Sequence, residues 1–260
     1  MRLLSSARNV LRALEILCAS AEPLSLAAVA TRLDVSEATA YRIIQTLVQH
    51  DFVRPAGERA GYQATLRVVE LAGDVIDHTE IKDIIRPTFQ HVAETFDESV
   101  TVAAPDGDHI VFVDRLPALT NVHFYCDVGR RLPLHVGAAA RCVLAHLNDE
   151  FFDRYLTRPL TRSTPSTKHT PEELRADRKK ILTDGYAVSV DEVDVGISAV
   201  GVPVVNREGH VLAAVTIANL TVRWSEPEII ERADALLDAA RGLSAECAHL
   251  TARQVVIPKP

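Results

Sequence analysis

Apolar residues recur at helical spacing three times within the first fifty positions. Val10, Leu14 and Leu17 fall at i, i+4 and i+7, with Leu11 and Cys18 beside them; they predict a helix capped by Ser6 and ended near Pro23. Leu26, Val29, Ala30 and Leu33 repeat the pattern behind a cap at Ser25. After a short break at Asp34 and Val35, Ser36 caps a third helix that turns Ala40, Ile43, Ile44 and Leu47 to one side. Two short amphipathic helices joined by a turn of three or four residues predict a helix-turn-helix. Residues 52–54 and 62–64, separated by the glycine-bearing segment 55–61, read as a hairpin in the position of a wing. Leu66, Val69 and Gly73, with Val68, Leu71, Val75 and Ile76 near them, continue as a helix to about residue 80.

The remainder alternates strands with helices. Ile85, Phe89, Val92 and Ala93 predict a helix over 84–96, and 99–104 alternates as a strand. Asp106-Gly107-Asp108 turns the chain into a second strand at 109–116, and 121–125 reads as a third. A helix is expected from about 138 to 147. Thr170 and Glu173 frame a capping box with Pro171 at the first helical position, and Gly185 closes that helix. Strands follow at 186–190, 199–205 and 211–219, the last two joined by the turn 206–209, and Ser225 caps a final helix to about 248. Hairpins in place of regular crossovers predict an α+β fold: a winged helix-turn-helix, then a mixed, mainly antiparallel sheet flanked by helices. The expected division is 1–65 for the winged helix-turn-helix, 66–80 for a connecting helix, 81–252 for the larger domain and 253–260 for a tail.

Composition agrees with a globular chain, 47% hydrophobic and 24% charged. No apolar run approaches the roughly 18 residues of a membrane span. The first twelve residues carry Arg2, Arg8 and Arg12 with no apolar stretch or small-residue cleavage site after them, so a cytoplasmic location is expected. Cys18, Cys126, Cys142 and Cys247 form no CxxC pair, which argues against structural zinc and a disulfide framework. The net charge of −7 looks wrong for a protein that binds DNA, but it is unevenly spread. Residues 1–67 hold eight Arg against six acidic residues, a net of +2 that leaves −9 for the rest.

The third helix carries the most informative chemistry. With its aliphatic side inward, Ser36, Glu37, Ala38, Thr39, Tyr41, Arg42 and Gln45 lie on or beside the outer face, with Gln49 a further turn along. Arg and Gln are side chains that read purine edges, whereas hydroxyls and free helix N–H groups bond phosphate. Arg54 and Arg59 on the wing are candidates for phosphate or the minor groove. A solvated helix in a small bundle is the plainer alternative for the three helices alone.

Three stretches carry a resemblance. PLSLAAVATRLDVSEATAYRIIQTLVQHDFV, followed by Tyr62 and LRVVELAG, resembles the DNA-binding domain of the IclR family of bacterial regulators. GRRLPLHVGAAARCVLAHL at 129–147, and GYAVSVDEVDVGISAVGVPVV at 185–205 with AAVTIANL at 213–220, resemble that family's GAF-like effector-binding domain. The family usually has Gly where Asp51 and Thr65 stand, and a Gly-Lys pair where Ala140 and Arg141 stand. The resemblance implies a homodimer or dimer of dimers on a pseudo-palindromic double-stranded DNA operator, with residues 66–80 as the linker helix. An interdomain spacer and a dimer-packing element are both compatible with that helix. Neither cofactor nor metal is implied.

The resemblance also implies a small-molecule effector that touches the helix start Gly137, Ala138 and Ala139, and Ser189, Ala199, Thr216 and Ala218. Small residues at a helix start leave N–H groups open to a carboxylate; taken without the resemblance, close helix–sheet packing is the plainer account of them. Ala at two of the last three positions means fewer hydrogen bonds for a tiny polar acid. The expected effector is therefore an aromatic or branched carboxylate, packed near His123, Phe124 or Tyr125. The functional expectation is a repressor of a catabolic operon, with an activator as the alternative. Two other classes remain open: an enzyme built on His123 with Cys126 or on Cys142 with His146, and a DNA-binding architectural protein without a ligand.

Overall fold

Helix α1 (Ser5–Cys18) begins two residues earlier than its sequence suggests, on an N-cap at Leu4 that makes no side-chain cap bond. Ser6 therefore lies inside the helix. Leu11 and Cys18 are exposed, because α1 buries the stripe that holds Ala13 and Leu17 and packs Val10 and Leu14 at its margin. Helix α2 (Leu26–Leu33) is capped by Ser25, whose hydroxyl accepts from the Ala28 N–H at 3.2 Å, and ends on Asp34 with φ of 56°. Helix α3 (Glu37–Gln49) is capped by Ser36, whose hydroxyl accepts from the Thr39 N–H at 3.3 Å. Ala40, Ile43, Ile44 and Leu47 are buried, the last three against Leu17, Val29, Leu33 and Val53. This computed structural model describes residues 4–57, 61–77, 81–118 and 126–246, and the chain divides into two compact units, 1–77 and 78–260.

Strands β1 (Val53–Pro55) and β2 (Tyr62–Ala64) form the expected antiparallel hairpin, with Arg54 opposite Gln63. Leu24 adds an isolated bridge on the far side of β2 from the segment before α2: its N–H donates to the Tyr62 carbonyl at 2.9 Å, and the Tyr62 N–H donates back at 2.8 Å. Gly61 makes that approach possible. At φ of +94° a Cβ there would lie 2.4 Å from the Leu24 carbonyl oxygen. The two departures from the family pattern meet in space. Asp51 takes the left-handed conformation at φ of 61°, which Asp tolerates better than most residues. Thr65 is not among the described residues with positive φ; its hydroxyl donates to the Asp51 carbonyl and accepts from the Arg67 N–H at 3.2 Å. A threonine thus closes the wing and caps α4 (Arg67–Asp77) in one step. A further helix, α5 (Ile81–Phe96), opens the second unit.

The second unit is built on a six-stranded sheet in the order β5-β4-β3-β8-β7-β6. Its strands are β3 (Val100–Asp106), β4 (His109–Leu116), β5 (Arg131–Pro133), β6 (Ala187–Val190), β7 (Ile197–Val205) and β8 (Val211–Leu220). Each neighbouring pair is antiparallel. The expected strand at 121–125 lies outside the described residues; β5, too short to show a period, pairs with β4. Helices α6 (Ala138–His146), α7 (Asp149–Leu156), α8 (Pro171–Asp184) and α9 (Glu226–Glu246) complete the unit. The capping box at Thr170 and Glu173 is present, and α8 ends on Gly185. No described helix is long and apolar enough to cross a membrane.

Strand alternation sorts side chains by size. Val100, Val102, Val200, Val202, Val215 and Ile217 pack in a cluster with Ile85 and Phe89 of α5 and Leu236 of α9. On the other face stand Thr101, Ala103, Ala199, Ala214 and Thr216, toward α6. Large residues on one side make a core. Small ones on the other leave room under α6.

His135, which is buried, and His146, which is half-buried, predict a pH dependence for the second unit. His135 donates from Nε2 to the Thr161 carbonyl at 2.9 Å and accepts the Tyr155 hydroxyl on Nδ1 at 2.7 Å. His146 donates from Nδ1 to the Cys142 carbonyl at 2.8 Å. Burial lowers both pKa values. The unfolded chain therefore binds protons more readily, so stability is full above about pH 6.5 and falls as pH drops through that value, by up to about 1.4 kcal/mol per pH unit and histidine. Urea unfolding should show a lower midpoint at pH 5.5 than at pH 7.5, and His135→Gln combined with His146→Gln should reduce the difference. An unchanged difference would remove these two groups as its source.

Candidate nucleic-acid interface and ligand cavity

On α3 the capped N-terminus and the outer face are open to solvent. Ser36, Glu37, Ala38, Tyr41 and Arg42 are exposed, Thr39 and Gln45 half-buried, and Gln49 exposed one turn further on. The Ser36 hydroxyl also bonds the Thr39 hydroxyl at 3.0 Å, which turns both toward the helix start. Across the hairpin, with the Gln63 amide assigned so that its oxygen faces Arg54, the guanidinium donates to that oxygen from Nε and Nη2, each at 2.8 Å. Arg54 is therefore steadied on the exposed face of β1. Arg59 lies outside the described residues. Helix start, Arg42 and hairpin belong to one unit and present hydrogen-bond donors on its surface.

The second unit holds a cavity of about 100 Å³ between the sheet and the start of α6. Gly137, Ala138, Ala139, Ala199, Thr216 and Ala218 line it, six of the residues singled out in the sequence. Ser189 does not. It is buried on edge strand β6, opposite Ala199 in the register and one strand beyond the lining. His123, Phe124 and Tyr125 lie outside the described residues. Sequence reasoning missed Ser99, Thr101, Phe112, Cys126, Arg130 and Asp194, among others. For Ser99 and Thr101 a signal existed, since they alternate with Val100 and Val102 where β3 begins. Arg130 and Asp194 come together only through the topology.

Few polar groups face this space. The Thr101 and Thr216 hydroxyls bond each other at 2.6 Å, and the Ser99 hydroxyl accepts from the Ala118 N–H at 3.3 Å. Gly137 starts α6 at φ of +87° with no side-chain cap, and a Cβ there would lie 2.6 Å from Cγ2 of Val193. The β6–β7 loop thus sits directly on the helix start.

That loop is held from below by buried ions. Arg141 of α6, 1% exposed, donates to Glu192 at 2.8 Å, to the Val188 carbonyl at 2.5 Å and to Asp177 of α8. Lys168 joins Glu192 at 2.7 Å and Asp177 at 3.7 Å. Two cations and two carboxylates balance where the family pattern has a lysine in place of Arg141.

Among the described residues, Cys126 and Cys142 are both held in the protonated form. The Cys142 thiol donates to the Gly201 carbonyl at 3.0 Å, and burial pushes its pKa up to about 12. Burial likewise pushes Cys126 up to about 12. A reactive cysteine needs the thiolate. His146, one turn from Cys142, spends its Nδ1 proton on the backbone.

Comparison with known proteins decides the assignment. Residues 6–57 match the IclR helix-turn-helix domain, and residues 73–245 match the bacterial transcriptional regulator IclR C-terminal domain. The chain belongs to the IclR family. Among its IclR relatives is the HTH-type transcriptional regulator KdgR of Dickeya chrysanthemi, 28% identical over 242 residues that span 92% of this chain and 79% of that protein. The crystal structure of a transcriptional regulator from Rhodococcus sp. RHA1 superposes with a TM-score of 0.80 at 25% identity, covering 96% of this chain and all of that one. An IclR homologue from Microbacterium hydrocarbonoxydans, solved in complex with 4-hydroxybenzoate, shares the fold with a TM-score of 0.75 at 23% identity, covering 93% of this chain and 98% of that one. As an IclR-family member the chain is a DNA-binding transcriptional regulator, and KdgR is named as a regulator too.

Proposed function

We propose that this regulator binds a pseudo-palindromic operator as a homodimer or dimer of dimers in the cytoplasm, represses a catabolic operon, and is released by a small aromatic or branched carboxylate. The observation that carries the DNA half is Arg42, exposed on a capped helix in the same unit as a wing bridged to the segment before α2. In this reading Arg42 and Gln45 meet base edges, while Ser36, Glu37, Ala38, Thr39 and Tyr41 flank them against the backbone and Arg54 and Arg59 reach phosphate or the minor groove. Dimerisation is supported by unpartnered apolar positions. Leu4, Leu11 and Cys18 are exposed at intervals of seven residues along α1, and Leu66 and Val69 are exposed at the start of α4. Repression requires only occupancy of a promoter, so it asks no further contact of the protein.

The effector half of the reading rests on the cavity. Gly137, Ala138, Ala139, Ala199, Thr216 and Ala218 surround a space far below the roughly 300–1,000 Å³ of sites for drug-sized ligands, which suits one ring or a branched chain. That the same fold holds 4-hydroxybenzoate in the Microbacterium protein supports an aromatic acid. Release of DNA follows if the ligand prefers the arrangement of the dimer that fits the operator less well.

Operators recovered by sequencing DNA that co-purifies with the protein supply the test. Arg42→Ala should weaken operator binding by about 1–3 kcal/mol at fixed salt and relax discrimination at one base pair, measured by fluorescence anisotropy. Unchanged affinity and footprint would take Arg42 off the reading face and with it the proposed docking.

A further inference from the structure

Among the described residues that line the cavity, only Arg130 and Asp194 are charged, and they face each other. Nη1 of Arg130 lies 3.0 Å from one Asp194 carboxylate oxygen and Nη2 3.4 Å from the other, the two-pronged geometry of a guanidinium on a carboxylate. The rest of the lining is neutral: apolar walls from Phe112, Leu132, Val136 and Ile197, and the mutually bonded hydroxyls of Thr101 and Thr216. The Asp194 side chain is 54% exposed, so its pairing with Arg130 is screened by water and easily opened.

The backbone around the pair is fixed. Asp191 accepts from the Gly196 N–H at 2.7 Å and from the Thr221 hydroxyl at 2.8 Å, closing the base of the loop. Glu192 is held by Arg141 and Lys168, and Val193 rests on Gly137. Arg130 is tied on the other side, where its N–H donates to the Asp127 carbonyl and its carbonyl accepts from the Phe112 N–H, both at 3.0 Å. Asp194 thus leaves Arg130 by rotating a side chain, with no loop to unfold.

We infer that Arg130 takes the carboxylate of the effector and that Asp194 is a built-in competitor for it, occupying the guanidinium until an acid displaces it. The inference rests on the cavity being the effector site. An entering acid buries its ring or branch against the apolar walls and sets its carboxylate on a guanidinium that the ligand itself shields from water, where the attraction exceeds that of the exposed Asp194. Displaced Asp194 turns outward and keeps its hydration. The competitor raises the effector concentration needed for a response, and the charge makes the site select acids over their amides.

The test is titration calorimetry of the full chain with 4-hydroxybenzoate, phenylacetate and 2-oxoisovalerate, and with 4-hydroxybenzamide and phenylacetamide as uncharged counterparts. Asp194→Asn should tighten the best acid about tenfold and leave its amide unchanged. Arg130→Gln should weaken that acid at least tenfold, collapse the acid-to-amide ratio, and cancel the gain when combined with Asp194→Asn; Arg130→Lys should keep part of the ratio. Should Arg130→Gln fail to fold, the gain in Asp194→Asn still decides. Ala199→Leu, which fills the cavity, separates the two readings. If it abolishes acid binding while the Arg130 and Asp194 variants match the wild type, the cavity is the effector site and the inference is wrong. If no acid binds, or Ala199→Leu binds acid normally, the effector reading falls as well.

Discussion

Arg141→Leu is expected to destabilise the second unit by about 3–5 kcal/mol, the loss that follows when one partner of a buried ion cluster is removed. The leucine leaves Glu192, 3% exposed, and Asp177 to share Lys168 alone, so one negative charge is uncompensated away from water. For a unit of this size that corresponds to a fall in melting temperature of roughly 6–20 °C. Arg141→Lys should recover much of it, because the charge stays while the forked geometry is lost. Combining Arg141→Leu with Glu192→Gln should lose less than Arg141→Leu alone, since the orphaned carboxylate goes with its partner. A double variant less stable than the single one would show that packing, and not charge, sets the loss.

Glu98→Leu should be of similar size, about 3–5 kcal/mol, at the opposite side of the sheet. The Glu98 carboxylate accepts from Nε and Nη2 of Arg232 at 2.8 and 2.9 Å, from Nε1 of Trp224 at 3.0 Å and from Nδ2 of Asn219 at 2.9 Å. Arg232 in turn lies over the rings of Trp224 and Phe96. One substitution strands four donors, three of them on charged or aromatic groups that tie α9 to the sheet. Trp224 is the single tryptophan of the chain, so its fluorescence reports on this site alone. The expected result is a lower unfolding midpoint together with a red shift of native emission as Trp224 loses its partner and gains water. A midpoint within 1 kcal/mol of wild type would mean that water replaces the carboxylate without loss.

The DNA-reading half was legible because its signals are local. A hydroxyl cap three residues ahead of an N–H and aliphatic residues at 3.6 spacing identify α3, and each acts within a turn or two of chain. Thr65 shows the limit of a family pattern, since here a hydroxyl joins the Asp51 carbonyl to the Arg67 N–H. Helix α7 went unread although Asn148 caps it and Phe152, Tyr155 and Leu156 are buried at helical spacing. Its acidic first turn and mixed aromatic content resemble a surface loop. The cavity was half legible. Small residues on β7 and β8 announce space under α6, but the pair of Arg130 and Asp194 joins a turn before β5 to a loop after β6, 64 residues apart, and no period links such positions. Buried Arg141 reads in one dimension like any helix-surface arginine.

The rung between Leu24 and Tyr62 has a mechanical consequence. Because the segment ahead of α2 is stitched to β2, the hairpin strands and the helix pair are joined without a hinge between them. In the proposed docking the three pieces would meet DNA as a single rigid die, so any mismatch with an operator would be absorbed by the duplex or by the spacing between two such dies.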